Sequence, residues 1–107
     1  MPYNRLEFVE FLEPTGHTTR RALLRMFAND EWLLSVSVAL TRSAKTAHEI
    51  SDSEIERRLP TFARRVVERR VAREPEWVEA NCGRDDVVLN IGTTDFAADD
   101  WNAAADS

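Results

Sequence analysis

Between Trp32 and Leu40 apolar side chains recur at every second position. Leu34, Val36, Val38 and Leu40 fall on one side, and Ser35 and Ser37 on the other. A period of two belongs to an extended strand, whose successive side chains point to opposite faces of a sheet. One apolar face of a sheet is stable only when another element lies across it. The chain supplies such an element further along. Ile55, Leu59, Phe62, Ala63 and Val66 recur at helical spacing and fall within about a 100° arc. A strand-period face and a helix-period face in one short chain predict an α+β domain, with a small sheet packed against one helix.

The flanking segments fill in this sheet. Arg5 to Leu12 is rich in aromatic and β-favouring residues and closes at Pro14-Thr15-Gly16. It reads as a strand, with Leu6 and Phe8 on one face and Val9 and Phe11 on the other, although helical spacing also fits. Arg20 to Phe27 and Trp32 to Leu40 read as a hairpin around the four-residue turn Ala28-Asn29-Asp30-Glu31. Ser35 and Ser37 predict that the outer face of this three-strand antiparallel meander is wet. Thr41 to Ile50 reads as a connector with one helical turn.

The helix start is marked by Ser51 with Glu54, a capping box, with Ser53 and Glu56 as a second register. Asp52 and Glu54 suit the positive end of the helix dipole. Pro60 lies inside the pattern, so the helix either kinks there or splits into two, the second running to about Arg73. Pro75 ends it. Glu76 to Ala80 makes a short turn with Trp77 inward, and Cys82-Gly83 is a helix stop. Val87 to Ile91 is a later fourth strand. Thr94 or Asp95 then caps a short C-terminal helix carrying Phe96 and Trp101, and residues 103–107 are expected to fray.

At 107 residues, residues 1–107 make a single domain. Its folded surface should be roughly 6,100 Å². A 43% apolar and 31% charged composition is that of a globular chain and neither a disordered nor a membrane-spanning one. Arg5, Glu7, Glu10 and Glu13 leave no room for the apolar core of a signal peptide. A lone thiol, Cys82, excludes an internal disulfide framework and fits a reducing compartment, so the expected location is the cytoplasm, with no membrane partner. The basic residues are thirteen arginines and one lysine, a bias that associates with a GC-rich bacterial or phage source.

The net charge of −5 conceals three blocks: −3 over residues 1–56, +6 over 57–73 and −8 over 74–107. Arg57, Arg58, Arg64, Arg65 and Arg69 cover the arc of the helix opposite its apolar stripe. Asp95, Asp99, Asp100 and Asp106 with Phe96 and Trp101 form an acidic-aromatic end. Two readings are open. The blocks answer each other within the fold, so that residues 95–107 lie along the arginine helix. Alternatively, one of them meets a partner. Arg57, Arg58, Arg64, Arg65, Arg69, Asp99, Asp100 and Trp101 are the candidate partner-binding residues. Trp32 and Trp77 are expected to be core anchors.

Motifs for chemistry are sparse. His17 and His48 are loop histidines without the short ligand spacing of a metal site. Cys82 has no nearby base and is expected to be a buried or half-buried structural thiol. Neither a Gly-x-Ser-x-Gly elbow nor a phosphate-cradling glycine loop occurs. The carboxylate pairs Asp30-Glu31, Asp85-Asp86 and Asp99-Asp100 lack the split environment that acid/base catalysis needs. The expectation is a small acidic protein without enzymatic activity, metal or cofactor, a regulator or inhibitor that binds a protein partner. A nucleic-acid-associated regulator using the arginine face is the alternative. Homodimer formation stays open.

Overall fold

A computed structural model describes residues 3–106. Strands β1 (Arg5–Leu12), β2 (Arg21–Ala28) and β3 (Glu31–Leu40) form an antiparallel meander. Helix α1 (Arg42–Ala47), the long helix α2 (Asp52–Arg73) and the short α3 (Trp77–Asn81) lead to β4 (Val87–Ile91). The chain then closes with α4 (Ala98–Ala103) and a 3-10 turn, Ala104–Asp106. Sheet order is β1-β2-β3-β4. The fourth strand pairs parallel to β3, from Val36 beside Val87 to Leu40 beside Ile91. A parallel partner follows from the helical crossover, which returns the chain to the end of the sheet where β3 began.

The expected α+β architecture is present. The core fills the space between one sheet face and α2, with Leu24, Met26, Leu34, Val36 and Val38 below and Ile55, Leu59, Phe62 and Ala63 above. The exposed surface is 6176 Å², close to the expected value. Ser51 caps α2 through both halves of the capping box. The helix runs through Pro60 as one element, so the split into two does not occur. Val67 is fully buried and Val66 only half-buried. The reason is placement: α2 packs over β1, β2 and β3, so Val66 looks into a groove above β4.

Several local expectations are corrected. The hairpin turn is two residues, not four, because Asn29 and Asp30 both take positive φ, 52° and 69°. That is the type I′ geometry whose twist suits a two-residue hairpin. A register shift between Phe8 and Glu10 turns Phe11 to the same face as Phe8, and their rings meet edge-on at 5.1 Å. Ser35 and Ser37 do sit on the outer face, but they are buried beneath longer neighbours. Cys82 is exposed, while Gly83 takes φ +86° as a helix stop. The last helix is capped by Ala97 rather than by Thr94 or Asp95. Ala104, expected to fray, is buried against α2, and Ser107 lies outside the described residues.

Tyr3, the only tyrosine of the chain, packs half-buried against the core. Burial raises its phenol above the ordinary value of 10.0; Glu68 adds to the rise and Arg64 opposes it. A raised native pKa means a contribution to stability that is present below pH 10 and is lost as pH climbs through the native value. Titration of phenolate absorbance should therefore give a midpoint above 10 in the native protein and a return to the ordinary value in denaturant. Equal midpoints would place the ring in water.

Candidate functional site

The arginines of α2 separate into two sets. Arg65 and Arg69 converge on Asp100 of α4. Arg69 Nε donates to Asp100 Oδ2 at 2.6 Å, and Arg65 Nη1 lies 3.8 Å from Asp100 Oδ1. Asp100 is 5% exposed. Its hydrogen bond and charge hold the Arg69 guanidinium above its ordinary pKa. Beside this pair, Trp101 meets Phe62 edge-on at 5.2 Å, and Phe96 bridges Phe62 and His48, stacking on the imidazole at 4.3 Å. The Arg58 guanidinium lies over the Trp101 ring at 5.9 Å, with its Nε buried and without a hydrogen-bond partner. The acidic-aromatic end is thus folded along α2, one of the two arrangements that the charge blocks allowed.

The second set looks outward. Arg57 and Arg64 are exposed and make no ion pair among the described residues, and the same holds for Arg73. Asp99, next to the buried Asp100, is exposed. Of the eight sequence-predicted residues, Arg58, Arg65, Arg69, Asp100 and Trp101 are brought together by intramolecular packing. Arg57, Arg64 and Asp99 remain at the surface.

The other face of the sheet carries a feature that sequence reasoning missed. Helix α2 covers one side only. On the opposite side lie Leu23 and Phe27 of β2, Trp32, Ser35 and Ser37 of β3, and Val88 of β4, as the strand register dictates. Trp32 is 41% exposed and Val88 52%. As a large aromatic side chain Trp32 is expected to be a core anchor, and the structure overturns this. A register shift at Leu33 pairs Trp32 with Phe27 instead of leaving it in phase, and a bulge of one residue turns a side chain to the other face. The indole Nε1 donates to Ser35 Oγ at 3.0 Å, which fixes the ring against the sheet. Arg25 and Asp85 flank a shallow depression between Phe27, Trp32 and Ser35. No sequence signal marks the bulge; only the pairing of the strands reveals it.

Among the described residues no group of three or more His, Cys, Asp or Glu side chains could hold a metal ion. None of the helices described is long and apolar enough to cross a membrane. His17 is exposed in its loop, and His48 is occupied with Phe96 and the Thr93 carbonyl. Comparison with protein-family models, curated proteins and solved structures gives no match for this chain.

Proposed function

We propose that this is a small non-enzymatic interaction protein, cytoplasmic and of bacterial or phage origin, that regulates or inhibits a protein partner by docking through the outer face of its sheet. The observation that carries the reading is Trp32. An indole 41% exposed, hydrogen-bonded to Ser35 and paired with Phe27 on the sheet face that α2 leaves uncovered, is the kind of anchor that dominates protein interfaces. Arg25 and Asp85 line the same depression and supply polar contacts beside the ring. The exposed thiol of Cys82 supports a reducing compartment.

Affinity purification from the native cell, with nuclease present, should recover one protein with the wild type, and recovery should fall at least roughly tenfold with Trp32→Ala, as for a hot-spot residue. Undiminished recovery with Trp32→Ala sinks the reading. The alternative, a nucleic-acid-associated regulator, rests on Arg57 and Arg64, the exposed arginines without ion pairs on the outer side of α2. It requires co-purification that nuclease abolishes, and duplex binding tighter than the non-specific range of about 10⁻⁴ to 10⁻⁶ M at physiological salt.

A further inference from the structure

The two edges of the sheet are built differently. Strand β1 carries Arg5, Glu7 and Glu10, is broken by a register shift and is followed by Pro14. Charge, irregularity and proline are the features that keep an exposed edge from pairing. Strand β4, at the other edge, reads Val-Val-Leu-Asn-Ile. It has no charge, no proline and an unbroken register.

The parallel ladder decides which of its main-chain groups are free. The Thr41 amide donates to the Ile91 carbonyl at 3.0 Å, so Ile91 points its backbone polar groups toward β3. Alternate residues follow it, Leu89 and Val87. Val88 and Asn90 therefore direct their N–H and C=O groups to the open edge. These two residues are placed symmetrically about Leu89.

Beside this edge runs a groove of about 750 Å³ between β4 and the C-terminal half of α2. Its lining is half apolar, and its charge differs from one end to the other. Arg70 and Arg73 lie at the end where β4 begins, since α2 finishes there and α3 leads into the strand. Asp95 lies past the end where β4 stops. Neither Arg73 nor Asp95 makes an ion pair among the described residues. Arg70 pairs with Glu74, at 3.6 Å. Arg69 and Asp100, also in the groove, answer each other, and Asp86 at the start of β4 is answered by Arg84.

From this arrangement we infer that β4 is a homodimer edge: two copies pair antiparallel through Val88 and Asn90 across a two-fold axis at Leu89, joining two four-stranded sheets into one of eight strands. The axis sets Val88 of each copy opposite Asn90 of the other. Both members of such a pair donate and accept once, so the two pairs make four hydrogen bonds. The same rotation reverses the groove, and the Arg70–Arg73 end of one copy comes to the Asp95 end of the other. An isologous interface needs a surface complementary to itself, and this edge is so in both backbone and charge. An acidic or a basic peptide would match one end of the groove and clash with the other. The outer faces bearing Trp32 stay open in the dimer and become continuous.

Sedimentation equilibrium and amide exchange test this on the full chain. The wild type should sediment at twice its 12.3 kDa mass, and exchange at Val88 and Asn90 should slow as concentration rises. Asn90→Pro removes one outward donor without touching the ladder to β3 and should give a monomer. Asp95→Arg, which sets like charges together, should weaken association by at least roughly tenfold, and adding Arg73→Asp should restore it. Trp32→Ala should leave the dimer intact. A wild type that stays monomeric at millimolar concentration overturns the inference. So does a dimer indifferent to both Asn90→Pro and Asp95→Arg, or one lost with Trp32→Ala. If Asn90→Pro fails to fold, the charge reversal and its rescue decide the matter alone.

Discussion

Phe62→Ala should destabilise the fold by about 3–5 kcal/mol, the range for truncating a buried aromatic ring. Phe62 is fully buried and stands where three parts of the molecule meet. It lies on the sheet side of α2, its ring centroid is 5.6 Å from Phe96, and Trp101 approaches it edge-on. Removing it leaves a cavity bounded on one side by strands that hydrogen bonding holds in register, so collapse around the site is limited. Cavity cost rises where neighbours cannot relax, which argues for the upper part of the range. At this chain length the loss corresponds to a fall in Tm of roughly 15–25 °C. Thermal unfolding followed by circular dichroism measures it directly. A shift of a few degrees would mean that the helix does not bury this face.

The parts of the molecule that were legible in the sequence are those in which one local period runs without interruption. Leu34, Val36, Val38 and Leu40 alternate cleanly, and all four are fully buried. Ser51 and Glu54 satisfy each other within one turn, and the helix begins where they place it. The unreadable parts are those in which a single residue breaks the period. The extra residue at Leu33 moves Trp32 from the core to the surface, and the shift near Val9 moves Phe11 the other way. Both depend on the partner strand, which no window of sequence contains. The same applies to the proposed dimer edge. The uncharged run of β4 is visible in the sequence. Its position at the edge of the sheet, and the alternation that leaves Val88 and Asn90 outward, belong to the topology.

The charge blocks were visible too, but their distribution between folding and surface was not. Composition could not say that Asp100 would be buried against Arg65 and Arg69 while Asp99 stays in water. One helix position, a rotation of about 100°, separates these fates: α4 presents Asp100 and Trp101 toward α2 and leaves Asp99 exposed. Intramolecular contacts also occupy part of the arginine excess of α2. Two of its seven arginines are committed to one carboxylate, a third lies over Trp101, and a fourth reaches Glu74.

Trp101→Ala should cost about 3–5 kcal/mol, and Asp100→Ala distinctly less, roughly 1–3 kcal/mol. The order follows from what each removal leaves behind. Trp101 is buried and supports Phe62, Phe96 and the Arg58 guanidinium together; its loss opens the space between α4 and α2. Asp100 is buried, but its partners are not: the Arg69 side chain is 68% exposed and that of Arg65 39%. Both guanidinium groups can return to water once the carboxylate is gone, so the heavy penalty of a stranded buried charge does not arise. The aromatic contacts, not the ion pair, should therefore hold the C-terminal segment on the helix. Raising the ionic strength should scarcely change the stability of the wild type or the Trp101→Ala deficit, because apolar packing is indifferent to screening and exposed ion pairs such as Arg84–Asp86 are worth only about 0–1 kcal/mol each. Denaturant unfolding of the two variants at low and high salt tests both points. If Asp100→Ala proved the costlier, or the wild-type stability fell steeply with salt, the segment would be held by charge, and the arginines of α2 would owe their number to it.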